Sequence, residues 1–277
     1  MLNSVLLHLS GDRRANAVIE FGVALAQRFE ARVRGLTLLD TRRLASLASA
    51  CEAAVYVSSE FSRLDRVEQQ QESIRASLSR ACLSAGVDFD VRRVRGNPLE
   101  VLPLESHYHD LIVTGAAPRG AVAEDDLDTG LSGRELIDLL LRGVQPMLVV
   151  REKRQALDRA LLVYDGTTAS ARAVRRFLGQ ALLPCAECRL LAVGQTELHA
   201  QNLYREMVEY CRTQLSTIET GSLHGPLRRA LVPYAGKWQA DLIVLGVPAG
   251  NRLLRRVLGE AAHDVLRQTN CALYATT

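Results

Sequence analysis

The segment His109-Asp110-Leu111-Ile112-Val113-Thr114-Gly115 returns as Ala240-Asp241-Leu242-Ile243-Val244-Leu245-Gly246, 131 positions further along the chain. Each copy is a short apolar run closed by glycine, the pattern of a parallel strand buried on both faces. A fold for this chain must therefore be made twice. The starts of the halves agree with that: Val5-Leu6-Leu7-His8-Leu9-Ser10-Gly11 resembles Ala160-Leu161-Leu162-Val163-Tyr164-Asp165-Gly166, and helical periodicity follows each. A length of 277 residues suits two domains of ordinary size.

The spacing between matched positions falls from 155 at Gly11/Gly166 to 131 at Gly115/Gly246, so the first half carries 24 extra residues before that strand. Much of the excess is expected in the Ala/Ser-rich stretch from Leu44 to Ser62. Strands are expected near 4–9, 32–38, 88–93, 110–114 and 146–150, with helices near 13–28, 62–85, 98–107 and 133–142. Alternation of this kind means parallel strands joined by crossover helices, an α/β fold of two tandem doubly wound five-stranded parallel-sheet domains. The charged segment Arg151-Glu152-Lys153-Arg154-Gln155 reads as the linker, which sets the domains at 1–151 and 156–277. The third strand of the second half, around Ile218 to His224, has the weakest pattern because Gly221 interrupts it.

Composition excludes several functions. Thirty-four basic against 31 acidic residues leave a net charge of +3, too even for the strong local excess of a nucleic-acid-binding surface. No run approaches the eighteen or so apolar residues of a membrane span, and the N-terminus has no basic region before its first apolar run. Six cysteines are too sparse for a disulfide framework in a chain of this length. A cytoplasmic protein acting without nucleic acid or membrane is the expectation.

Ligands of open parallel sheets bind beyond the carboxyl ends of the strands, where strand order reverses. Two loops of the second half carry suitable residues. Asp165-Gly166-Thr167-Thr168 offers a carboxylate for an adenine amino group or a ribose hydroxyl, and equally reads as a turn with a helix N-cap. The loop from Gly246 through Gly250 and Arg252 to Gly259 offers glycines, arginines and an expected helix start at Gly259 for phosphates. A solvated connector would use the same residues.

Other chemistry is less well supported. Cys185-Ala186-Glu187-Cys188 has redox or metal spacing, but it follows a helix and precedes a strand, the reverse of the thioredoxin arrangement. His107 and His109 suit a helix C-terminus without a metal. His263 and Asp264 are adjacent and point in different directions, and the acidic run Glu124 to Asp128 lacks ordered ligand spacing for a cation.

The repeated unit resembles the universal stress protein domain, and the resemblance covers the chain as a tandem pair. Gly96-Asn97-Pro98 leading into Asp110-Leu111-Ile112-Val113, and Asp241 to Gly246 leading to Gly259, carry it. One branch of that family binds ATP through Gly-x2-Gly-x9-Gly followed by Ser or Thr, with an aspartate ending the first strand. The resemblance puts Asp165 on that aspartate, and Gly246 and Gly259 have the required separation of thirteen. Ala249 stands at the second glycine with Gly250 one place later, and Glu260 stands at the hydroxyl position. In the first half Ser10 replaces the aspartate, and Arg134 the hydroxyl residue. The resemblance implies an internal pseudo-dimer in which Leu148 to Val150 meet Ala272 to Tyr274. It leaves a further homodimer and the protein partner unspecified.

Three functions are consistent with these residues: a non-catalytic stress-response or regulatory protein binding an adenine nucleotide through Asp165, Gly166, Thr167, Gly246, Gly250, Arg252 and Gly259; an interaction scaffold without nucleotide; and a weak nucleotide hydrolase or transferase, whose general base would have to be Glu260.

Overall fold

The computed structural model describes residues 2–10, 13–42, 54–116, 130–142, 145–151, 157–182, 187–194, 197–248 and 252–277. Among them, strands and helices alternate as β1 (Ser4–Leu9), α1 (Arg13–Phe29), β2 (Arg32–Asp40), α2 (Ala54–Ala85), β3 (Phe89–Gly96), α3 (Pro98–Ser106), β4 (Leu111–Gly115), α4 (Gly133–Leu141) and β5 (Met147–Val150). The pattern then restarts with β6 (Arg159–Tyr164), α5 (Thr168–Gly179), β7 (Glu187–Gly194), α6 (Glu197–Arg212), β8 (Glu219–His224), α7 (Leu227–Trp238), β9 (Leu242–Gly246), α8 (Arg252–Gln268) and β10 (Ala272–Thr276). The α/β doubly wound class read from the sequence is the fold observed.

Two compact units contain these elements, one with β1 to β4 and the other with α4 and everything from β5 onward. In the first, strand order is β3-β2-β1-β4 and every pairing is parallel. Val5, Leu6 and Leu7 of β1 and Leu111 and Val113 of β4 are wholly buried, as expected of central strands covered on both faces. The edge strand β3 instead carries Arg92, Arg93 and Arg95, charges that discourage pairing with another chain.

In the second unit the order is β5-β10-β9-β6-β7-β8. All pairings are parallel except β10 with β5, which runs antiparallel with Leu273 opposite Val149 and Tyr274 opposite Leu148. The last strands of the two repeats thus meet, as the resemblance implies. The repeat and the compact body differ here, because β5 gains its ladder from β10 and is held with the second half's strands. Arg151, in the charged segment after β5, fastens the same place. Its guanidinium donates to the carbonyls of Leu266 and Thr269 at 2.7 Å, meeting acceptors that the end of α8 leaves open.

Two helices differ from expectation. Helix α2 spans 32 residues and starts at Ala54, eight positions before the expected 62. The Ala/Ser-rich stretch has no glycine or proline after Ala54 to stop a helix, so it extends one. Much of the extra length of the first half is therefore helix, since the matching α6 has 16 residues. Helix α8 starts at Arg252, not at Gly259. The run Arg252-Leu253-Leu254-Arg255-Arg256-Val257-Leu258 is rich in strong helix formers, and an interior glycine costs only about 1 kcal/mol. The doubtful strand of the second half is real: β8 pairs with β7, with Gly221 opposite Leu191.

Candidate functional site

In the second half β6 lies between β7 and β9, so strand order reverses between β6 and β9 and their carboxyl ends open the ligand position. Asp165 follows β6 there. Its Oδ1 accepts from the Thr167 amide at 3.0 Å and the Thr167 hydroxyl at 2.6 Å, closing an Asx turn through Gly166, whose φ of +78° suits glycine. Thr167 is the N-cap of α5 and accepts from the Ser170 amide at 3.2 Å. The Ser170 hydroxyl, buried, donates to the Thr167 carbonyl at 2.9 Å and accepts from the Asp165 amide at 3.3 Å. Asp-Gly-Thr-Thr is therefore a turn and a cap in fact. Among the described residues this network engages Oδ1 and leaves Oδ2 of Asp165 without a hydrogen bond.

Gly246 ends β9 on the other side of the reversal. A Cβ there would lie 2.3 Å from the carbonyl carbon and oxygen of Ala169 and 2.5 Å from the Ser170 amide nitrogen. The glycine thus lets the first turn of α5 rest directly on the strand, which brings Gly246 together with Asp165, Gly166 and Thr167. Gly250 lies outside the described residues. Arg252 and Gly259 belong to the backbone of α8, as its first residue and an interior one, and their side chains lie outside the description.

The start of α8 at Arg252 changes the electrostatics expected of Glu260. Glu260 sits two turns into the helix, so it does not compete for the positive helix terminus. Its Oε2 accepts from Nη1 of Arg228 at 3.0 Å, while Arg228 Nε donates to Asp264 at 2.8 Å. Asp264 and His263 form no dyad, with His263 Nδ1 3.9 Å from the carboxylate. Burial and neighbouring arginines, Arg267, Arg134 and Arg228, hold the imidazole of His263 below its usual pKa despite Asp264. Burial, reinforced by the charge of Asp165, pushes the Tyr164 phenol up, so that group keeps its proton beside Asp165.

The corresponding place in the first half is filled differently. His8 and Thr114, each 1% exposed, share a hydrogen bond of 3.0 Å across β1 and β4. Ser10, in the position of Asp165, is buried, and so is Arg14, in the position of Ala169. The Arg14 stem crosses Gly115, where a Cβ would stand 2.9 Å from Arg14 Cβ. Arg134, expected at the anion position of this half, lies at the start of α4 beside α8, where Gly133 faces His263.

Of the other candidates, Cys185 and the run Glu124 to Asp128 lie outside the described residues. Cys188 is a buried thiol on β7, and its near neighbour is Cys211 of α6, whose pKa burial raises to about 12. Among the described residues no group of three ligating side chains could hold a metal, and no helix is long and apolar enough to cross a membrane. Sequence reasoning missed Ser170 and Arg228. Ser170 was discoverable, since it lies three residues after Thr167 in capping spacing. Arg228 was not, because only packing of α7 on α8 brings it to Glu260.

Residues 156–276 match the universal stress protein family model. A universal stress protein of Synechocystis is 24% identical over 208 residues, covering 73% of this chain and 70% of that protein. A universal stress protein from Archaeoglobus fulgidus has a similar fold, with a TM-score of 0.69 at 17% identity, covering 99% of this chain and 96% of that one. A functionally unknown Pseudomonas aeruginosa protein, PA1789, aligns at a TM-score of 0.59 and 13% identity over 99% of this chain and 92% of its own.

Proposed function

We propose that the protein, whose residues 156–276 match the universal stress protein family model, is a non-catalytic stress-response regulator that binds one adenine nucleotide, such as ATP, in that half. The observation that carries the reading is Asp165 at the strand reversal, its turn locked through Oδ1 and its Oδ2 left for a ribose or adenine donor. A prearranged acceptor loses little entropy on binding, which suits a ligand held by few polar contacts. Gly166 and Thr167 shape that turn, and Gly246 brings the first turn of α5 against it. Phosphates would meet the amides at the start of α8, with Arg252 and Gly250 beside them and Gly259 deeper in the helix. Glu260, tied to Arg228, is a weaker obstacle to an anion than an unpaired carboxylate, and for the same reason a poor general base. The hydrolase reading loses its one candidate base.

A scaffold without nucleotide is the second reading, favoured by the self-filled first half and by Ala249 in place of a phosphate-loop glycine. Calorimetry with ATP, with and without magnesium, separates the two. One saturable site per chain, lost in Asp165→Ala while the fold is retained, supports the nucleotide reading. No heat at about millimolar ATP, where even a weak site of about −4 kcal/mol would register, leaves the scaffold.

A further inference from the structure

The edge of the first half opposite the strand reversal gathers a partly buried charged cluster that the nucleotide reading does not use. His109, between α3 and β4, is 7% exposed, and its Nδ1 shares a hydrogen bond of 2.7 Å with the Ser4 hydroxyl of β1. Its Nε2 is buried with no hydrogen-bond partner. Around it stand Arg34 of β2, Asp90 of β3, Glu105 of α3 and Asp110 ahead of β4, whose charges all act on the imidazole. Arg34 donates to Asp90 Oδ2 at 2.8 Å and lies 3.6 Å from Glu105 Oε2. Among the described residues Asp90 Oδ1 and Glu105 Oε2 are themselves buried and make no hydrogen bond; Arg32 lies 3.6 Å from Asp90 Oδ1. Arg92 holds the other oxygen of Glu105, and Asp110 accepts from the amides of Asn3 and Ser4 at 2.8 and 3.0 Å.

We propose that His109 is the proton-binding centre of an acid-responsive latch that ties β1, β2, β3, α3 and β4 together at this edge. With the ring neutral, one nitrogen is satisfied by Ser4, and Arg34 is the cation that the buried carboxylates face. A proton makes both ring nitrogens donors. Ser4 must then accept, and Nε2, buried without a partner among the described residues, becomes an N–H that no acceptor meets. The imidazolium is also a second cation in the field of Arg34. A buried charge with an unmet donor is costly, so the contact between Ser4 of β1 and His109 ahead of β4 opens to water.

Burial and Arg34 hold the His109 pKa below its ordinary 6.5, against the opposing pull of the three carboxylates. The folded chain then binds fewer protons here than the unfolded one. The stability is present above about pH 6.5 and lost as pH falls from there through the lowered value. The latch gives the first half a response to mild acid that does not depend on nucleotide binding.

Hydrogen exchange tests it. Amides of residues 3–9 and 109–115 are compared at about pH 7.5 and about pH 5.5 after correction for intrinsic exchange. We expect opening to accelerate severalfold in the intact chain and less than about twofold in His109→Gln, with His263→Gln behaving as the parent. Equal acceleration in the parent and His109→Gln, or none in the parent, overturns the latch. An NMR titration of the histidine rings on the unaltered chain decides the matter even if the variant fails to fold. A His109 midpoint below about 6.5, accompanied by shifts at the Ser4 and Val5 amides, is expected, and a midpoint at or above that value overturns it.

Discussion

Asp110 in the first half and Asp241 in the second hold the same place and do the same work. Asp110 accepts from the amides of Asn3 and Ser4, Asp241 from those of Asp158 and Arg159, at 2.8 to 3.2 Å. The cross-strand ion pair beside them repeats as well, with Arg34 on Asp90 in one half and Arg189 on Glu219 in the other. At the opposite edge the halves part company. Asp165, Ala169 and Gly246 make an open turn under a close-packed helix start, whereas Ser10, Arg14, His8 and Thr114 bury themselves in the equivalent space. The lesson is that the edge which starts the strands is needed for folding and is kept in both copies. The edge that ends them is free to diverge, because the packing of the central strands does not depend on it.

The largest expected effect comes from making the same change at the two matched glycines. Gly246→Ala drives a Cβ into the backbone of Ala169 and Ser170 and should cost about 3 kcal/mol in urea unfolding. Gly115→Ala meets first the Cβ of the buried Arg14, at 2.9 Å, and not backbone, and should cost less, about 2 kcal/mol. Equal losses would remove the distinction drawn between the two edges. Next, Asp110→Ala and Asp241→Ala each strip two amides of a charged acceptor and should each cost about 2 kcal/mol. A wide difference between these two would break the claim that the lower edge is one device used twice.

Smaller still, Thr167→Ala removes the α5 N-cap and should lower stability by about 1 kcal/mol, with no counterpart expected from Ser10→Ala, whose hydroxyl makes no hydrogen bond among the described residues. Thermal or urea unfolding of both variants checks the asymmetry. The smallest effect is an absence of change. Cys82, Cys188, Cys211 and Cys271 are buried, and burial raises Cys82 to about 11 and Cys211 to about 12. Alkylation at about pH 8 followed by peptide mass analysis should label none of the four until denaturant is added.

Much of this was readable from residue order. The repeat, the buried strands ending in Gly115 and Gly246, and the turn at Asp165-Gly166-Thr167 follow from patterns two to seven residues long, which local sterics and burial enforce. Helix limits were less secure. Gly259 looked like a helix start because glycine is permissive, but the run from Arg252 carried the helix through it. The capping serine Ser170 was within reach of the same local reasoning.

What the tertiary structure alone decided concerns residues far apart in the chain. Arg228 neutralises Glu260, Arg151 caps α8, β5 pairs with β10, and Ser4 meets His109. No local pattern encodes those meetings, since each depends on how helices and strands from separate segments pack. By itself the sequence determined the α/β class and the buried central strands, because burial and backbone sterics act over a few residues, whereas β2 and β3 run on to Asp40 and Gly96, past the expected 38 and 93. Which charges end as partners was decided only when packing removed water from around them.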